Sequence, residues 1–500
     1  MNLLNIKNNE RNIARLIYIF SMIFVVFLFL LDRSFFVAQI FALIFLTIIY
    51  RCFNDGPRKI FYYITLLFSI MNFTISIPLK SLIGVQNDLH LYYIYLFVYI
   101  IAWCFYAIRK RNISILFNGP VNIIGSIFII YVLISFFIAD NKSLAVKSMI
   151  IYFMMASFII MAASENTEKA ELRKTLRFLQ FLSTGILVLG LAKIFTGLMI
   201  EPINSFMVSK VDFSKLPHLY RIPTVFFYNP NDYALVVALI ILGFFIKLLY
   251  DKSKNERIYS AVVLVCAEIN LIFTMSRTAW ISVIVTLSCY TVYLAVRRNW
   301  VLFKRSAAAA AVMGVMFYSL SFMPQTAPYY GKFNATLNNA GLENNNGDSK
   351  YDENVGIGES GSTSERLTLI YDVIQGVFKE KHLLGFGAGN INEYIKSQNN
   401  TNKITDPHNL WIQILGDFGV IGFGCYVLFN IVIFINLMKN DRKRPDSWNA
   451  ITNMLMLFVA ASALLVFGPS SVIAFTPFWL YLGLVYSYFN GKEYLEGGKV

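Results

Sequence analysis

From Ile258 to Val296 the chain is almost unbroken apolar sequence, with the arginine of Ser276-Arg277-Thr278 near its middle. A membrane-spanning helix needs about 20 apolar residues, so this run is long enough to cross a bilayer twice. A soluble core cannot hide so much apolar surface beside one unpaired charge. The run is therefore read as two spans with Arg277 in the turn between them. Similar runs recur along the whole chain, which is 57% hydrophobic and only 14% charged. Soluble domains carry about 25% charged residues. The fold class expected is an all-α polytopic membrane protein of about fourteen transmembrane helices, with one large extracytoplasmic loop carrying a flexible segment and an amphipathic helix.

The charges give those spans a direction. Net charge is +14, but the Arg/Lys-dense segments are short and lie between apolar runs, around 51–59, 109–111, 169–177, 252–257, 297–305 and 439–444. Such loops stay in the cytoplasm. The excess of positive charge is thus a topology signal, and no nucleic-acid partner is expected. With the N-terminus inside, every basic loop falls inside, both termini are cytoplasmic, and Arg221, Arg277 and His408 all fall at the outer face. The first apolar run, from Ile17 to Leu31, follows basic residues without a small-residue cleavage site and reads as a retained span. Five cysteines lie in or beside apolar runs with no paired spacing, which suggests neither a disulfide framework nor a metal site.

Four regions are expected: N-terminal transmembrane helices over 1–178, a central transmembrane core over 179–323, the extracytoplasmic loop over 324–407 and C-terminal transmembrane helices over 408–500. In the loop, about Gln325 to Thr363 is rich in Asn, Gly and Ser and buries too little to offset ordering entropy. Its second half differs. Ser362 and Glu365 have capping-box spacing, and Ile370, Val373, Ile374, Val377 and Phe378 fall on one helical face. That amphipathic helix lies either on the membrane or over the site.

Three junctions concentrate chemically capable residues. Arg277 within a long apolar run needs a partner or a function; the competing reading is a side chain snorkelling to close a turn. Arg221 opens a segment ending in Asn229-Pro230-Asn231-Asp232. There Asn229 or Asn231 can cap the next helix and Pro230 suits its first turn; Arg221 alone could be a solvated loop charge. In Asp406-Pro407-His408-Asn409-Leu410-Trp411, Asp406 as cap and Pro407 at the first helical position would put His408 in the first turn. The positive helix end there favours a neutral imidazole, able to take a proton from a hydroxyl, and attracts phosphate. An interfacial histidine without a role is the alternative. The glycines of Gly385-Phe386-Gly387-Ala388-Gly389 follow no strand and read as a tight turn, not a nucleotide fingerprint. Glu268, in mid-span, reads as a partner for polar groups in the bundle, with a proton-relay role as the other possibility.

Taken in order, four segments resemble the O-antigen ligase and polymerase superfamily. They are the Arg221 segment through Asn229-Pro230-Asn231-Asp232-Tyr233-Ala234; Ser276-Arg277-Thr278-Ala279-Trp280; Arg366 followed by Leu383-Leu384-Gly385-Phe386-Gly387; and His408-Asn409-Leu410-Trp411 followed by Gly416-Asp417-Phe418-Gly419. The likeness covers about residues 180 to 440. Asp417 departs from it, since glutamate is usual there. The resemblance implies a metal-independent glycosyltransferase in the bacterial cytoplasmic membrane, needing no cofactor. It would take glycan from undecaprenyl diphosphate on the outer face. Arg221 and Arg277 would bind the diphosphate and His408 would activate the acceptor hydroxyl; Arg366, Asn229, Asn231 and Asn409 are the further substrate-binding candidates. Polymerisation of lipid-linked repeat units for O-antigen, capsule or exopolysaccharide leads. Ligation of finished glycan to lipid A core or another surface acceptor is second, and a lipid-linked oligosaccharide flippase third. A flippase predicts internal repeats, and none is evident. A chain-length regulator and a flippase of the same pathway are the expected partners, besides the lipid-linked glycan and the bilayer.

Overall fold

The computed structural model describes residues 3–31, 35–71, 74–77, 89–110, 119–198, 217–323, 326–331, 356–359, 362–401, 404–443, 446–469 and 471–491. Sixteen helices organise them: α1 (Leu3–Leu31), α2 (Phe36–Cys52), α3 (Pro57–Ile70), α4 (Leu91–Lys110), α5 (Pro120–Ile138), α6 (Lys142–Glu165), α7 (Lys169–Thr196), α8 (Pro230–Tyr250), α9 (Lys254–Phe273), α10 (Arg277–Val296), α11 (Trp300–Ser321), α12 (Ser362–Ile374), α13 (Ile391–Gln398), α14 (Leu410–Lys443), α15 (Asp446–Leu465) and α16 (Thr476–Asn490). A two-residue antiparallel ladder pairs β1 (Ser76–Ile77) with β2 (Leu89–His90).

Among the described residues ten helices are long and apolar enough to cross a membrane: α1, α4 to α8, α10, α11, α14 and α15. The chain is a multi-pass membrane protein. The other four of the fourteen expected positions hold α2, α3 and α16, which are shorter, and α9, which carries Lys254, Glu256, Arg257 and Glu268. Burial separates centre from rim. In α8, 72% of the most apolar window is buried inside the protein, against 6% in α11. So α8 is the axis, packed by α9, α10 and α15, and α11 stands at the lipid-facing edge.

Local chemistry sets the helix starts near the site. Asn229 accepts a hydrogen bond from the Asp232 amide at 2.9 Å, with Pro230 opening α8, as its side chain and position predict. The turn expected at Arg277 forms: α9 ends at Phe273, Met275 takes a positive φ of 56°, and α10 begins at Arg277. Trp280 Nε1 donates to the Leu271 carbonyl at 2.8 Å and clips the two helices together. Glu268 bonds the Phe317 backbone of α11, a pairing within the bundle.

The 324–407 segment departs from expectation in two ways. Most of 325–363 lies outside the described residues, but 326–331 folds back onto the α9–α10 turn. Tyr329 packs on Phe273 with ring centroids 4.2 Å apart, and Tyr330 on Trp280 at 5.5 Å. Two buried aromatic rings supply the surface that the polar composition of the segment conceals. The side chain of Ser362, proposed as a cap, lies outside the described residues. The apolar face of α12 and of the π-helical turn that extends it (Gln375–Lys379) is also differently phased. Leu369, Val373 and Val377 are buried against Ile391, Ile395 and Leu415. Ile374 and Phe378 point elsewhere, because one residue's step turns a helix by about 100°.

That second stripe is Leu367, Tyr371, Ile374 and Phe378, between 38% and 52% exposed. It runs on into exposed Leu383 and Leu384, and the Val420 amide bonds the Leu383 carbonyl at 2.9 Å. Exposed Val420 and Ile421 of membrane-spanning α14 therefore continue the same surface. A helix with one face on protein and one apolar face adjoining a span suits the bilayer interface. Tryptophan introduced at Ile374 is expected to be quenched by brominated acyl chains in reconstituted vesicles; unquenched, solvent-like emission would place α12 in water.

Candidate active site

The loop reaches the bundle through a break in α14. Gly419 lies at φ 62°, ψ −163°, which interrupts the helical ladder and frees carbonyls behind it. The loop takes them: the Phe386 amide bonds the Gly416 carbonyl and the Gly387 amide the Asp417 carbonyl, both at 2.9 Å. Gly387 has φ 86°, and a Cβ there would stand 2.5 Å from the Ala139 backbone, so only glycine fits. The glycine triplet is the turn expected of it, and it docks the loop between α5 and α14. Asp417 completes the joint. It is fully buried, and its Oδ1 accepts the Ile391 amide at 3.3 Å, fixing the start of α13.

One end of the bundle gathers the candidate residues. Arg277, half-buried at the start of α10, donates through Nη2 to Thr363 Oγ1 of α12 at 3.0 Å. Arg366, one turn further along α12, donates through Nη1 to the Phe467 carbonyl at 3.0 Å and through Nη2 to the Gly468 carbonyl at 3.3 Å. These carbonyls belong to the turn between α15 and α16. Arg366 is held below the ordinary arginine range, first by burial and then by the nearby charge of Arg277. Two guanidinium groups this close repel each other, and an anion bridging them would relieve the cost.

The same turn collects the others. A Cβ at Gly468 would lie 3.9 Å from both Asn231 Cβ and Thr278 Cβ, so Asn231 sits beside the arginine pair. The Leu410 amide bonds the Val466 carbonyl at 3.4 Å, and Trp411 Nε1 the Ala463 carbonyl at 3.0 Å. Asp406 is hydrogen-bonded to Ser471. Val466, Phe467, Gly468 and Ser471 thus hold the Arg366 helix, the α8 start and the His408 junction together.

His408 is brought to this end, but not as expected. α14 starts at Leu410, and His408 precedes it at φ 51°. The cap is Asn409, whose Oδ1 accepts the Trp411 amide at 3.0 Å; Asp406 instead accepts the His408 amide at 2.9 Å. The reason is that an Asx turn at Asp406 bends the chain before the helix can begin. A non-glycine residue at positive φ is uncommon and strained, and such residues cluster at functional sites. Asn409 Nδ2 is buried without a partner among the described residues, a donor available to a ligand.

Burial pushes the Asp406 carboxyl up to about 6, against the opposing hydrogen bonds from the His408 amide and Ser471. The folded state then keeps a proton that the unfolded chain releases near pH 4, so stability falls as pH rises from about 4 to about 6. Melting temperature followed over that range is expected to show the decline in the native protein and a shallower one in Asp406→Asn.

Arg221 is tied differently. Its Nη1 bonds the Ile194 and Phe195 carbonyls at the end of α7, at 2.8 and 3.0 Å, and the residue is exposed. It faces the same end, and its charge acts on Tyr329, but its contacts are with α7 and not with the 466–471 turn. Asn229 is occupied by its capping bond. Three contributors were missed in the sequence: Thr363, the 466–471 turn and Lys193. Lys193 is only 2% exposed and lies over the Tyr220 ring at 4.3 Å, beside Arg221 in the chain fold. A lysine inside the apolar α7 run was the signal for it.

Residues 261–427 match the family model described as O-Antigen ligase. Over that third of its length the chain is similar to the O-antigen ligase and polymerase superfamily. A curated relative, "Teichuronic acid biosynthesis protein TuaE" of Bacillus subtilis (strain 168), is 24% identical over 274 residues, 54% of this chain and 52% of that protein. The similarity thus spans about half the length of the relative. The O-antigen ligase match runs from α9 past the Gly419 break, so it includes Arg277, Arg366 and His408 and leaves out Arg221 and the 466–471 turn.

Proposed function

We propose that the chain is a glycosyltransferase of the bacterial cytoplasmic membrane that polymerises undecaprenyl-diphosphate-linked repeat units at its outer face, building a surface polysaccharide. The observation that carries this reading is the neighbouring guanidinium groups of Arg277 and Arg366, each acting on the other's charge, at the same bundle end as the strained His408 junction. The O-antigen ligase match over residues 261–427 and the teichuronic acid role in the name of the relative support the substrate class.

In this mechanism the acceptor hydroxyl attacks the anomeric carbon of the donor sugar and the bond from that carbon to the diphosphate oxygen breaks. His408 takes the hydroxyl proton. The diphosphate leaves with its added negative charge between Arg277, whose fork-like donors match phosphate oxygens, and Arg366, which adds its charge and its remaining N–H groups while bonded to the Phe467 and Gly468 carbonyls. The arginines supply the charge a metal ion would otherwise bring. Asn231 and Asn409 orient the phosphate and sugar, and Arg221 stands at the rim. The description of the family model favours a second reading, ligation of finished glycan to a surface acceptor.

A deletion strain separates the two. Single repeat units on the acceptor with long chains absent identify a polymerase. Long chains accumulating on the carrier lipid and missing from the acceptor identify a ligase. Repeat units trapped at the cytoplasmic face would overturn both.

A further inference from the structure

The bundle end opposite Arg277 carries a feature that the proposed reaction does not use. There α9 and α11 run side by side without closing, leaving a cavity of about 400 Å³. One face of each helix lines it, with Arg257, Ala261 and Leu264 on α9 and Arg305, Ala309 and Met316 on α11; Glu268 lies at its deep end. Small residues normally let membrane helices approach closely. Here the alanine-bearing faces stay apart. An unfilled gap forfeits dispersion contacts, and α11 buries only Ser306 along its length, so the groove opens sideways towards hydrocarbon.

The rim has a charge. Arg257 lies in the first turn of α9 and Arg305 near the start of α11. Arg305 donates to the Leu249 carbonyl at 3.4 Å, while the neighbouring Glu256 is taken by Lys247. Among the described residues neither arginine pairs with a carboxylate. The length is also informative. From Arg305 to Met316 a helix rises about 16 Å, close to half of the roughly 30 Å hydrocarbon core. A cationic rim above an apolar groove one leaflet deep has the shape of a lipid.

We propose that the α9–α11 groove is a binding site for an anionic phospholipid of the leaflet opposite the reaction site. Its headgroup phosphate is held by Arg257 and Arg305, and one acyl chain lies along Ala261 and Ala309 to Glu268. A second cavity of about 220 Å³ continues from Glu268 towards Trp280, so a polyprenyl chain entering from the Arg277 end is the rival occupant.

The test uses the full chain in phosphatidylcholine nanodiscs, titrated with phosphatidylglycerol and separately with polyprenyl phosphate. Bound lipid is read by native mass spectrometry and stability by melting temperature. Phosphatidylglycerol is expected to be retained and to raise the melting temperature. Its retention should drop about tenfold or more in Arg257→Gln/Arg305→Gln, in line with the loss of charge-assisted hydrogen bonds, and vanish in Ala309→Phe. Equal retention in native protein and variants would overturn the proposal, as would retention of polyprenyl phosphate with none of phosphatidylglycerol. The arginine pair lies at the rim, where its replacement removes one long bond, from Arg305 to the Leu249 carbonyl, and no apolar packing, so that variant decides the question if Ala309→Phe does not fold.

Discussion

Replacing His408 with alanine is expected to abolish glycan transfer, a loss of about 10²- to 10⁴-fold if it is the general base, while the protein still inserts and binds lipid diphosphate. The residue stands at φ 51°, so alanine removes the imidazole and also raises backbone strain. His408→Asn separates the two effects. Asparagine tolerates positive φ and carries no base. If His408 acts chemically, both variants are inactive; if it serves only to shape the turn, asparagine restores transfer. Assay with purified lipid-linked donor and acceptor reads this directly, and native output from His408→Ala would remove the residue from the mechanism.

The second large effect is expected at the arginine pair. Arg366 spends Nη1 and Nη2 on two successive carbonyls, Phe467 and Gly468, a span that a lysine ammonium cannot cover. Arg366→Lys should therefore loosen the 466–471 turn and weaken transfer although the charge is kept. Arg277→Lys keeps a charge beside Thr363 and loses the fork. Each is expected to cost about 1.5–3 kcal/mol of binding to a diphosphate, roughly 10- to 150-fold, the scale of a hydrogen bond to a charged group. Donor titration measures it as a raised KM. Unchanged kinetics in both would mean that simple charge attraction is sufficient.

The spans were legible because each demands a long apolar run, and the α9–α10 turn because one arginine interrupts a run too long for a single helix. Asn229 and Pro230 announced the start of α8 by capping chemistry. The site was legible only in part. Arg277 and His408 were visible as misplaced polar residues, but Gly468-Pro469-Ser470-Ser471 looks like any connection between helices, and its importance lies in partners remote in the chain. The α12 face was misread because Ile374 and Phe378 are as apolar as Leu369 and Val373; which stripe is buried depends on α13 and α14. Similarly, the Asx turn at Asp406 competes with a helix cap at the same residue, and composition cannot rank the two.

The 466–471 turn also sets an order of assembly. It leaves the ribosome after Arg221, Arg277, Arg366 and His408 have all been made. Until it arrives, Arg366 has no carbonyls to hold, Leu410 has no Val466 to bond and Asp406 has no Ser471. A nascent chain stalled before this turn carries every proposed reactive group without the carbonyls that hold them together, so synthesis itself delays assembly of the proposed site.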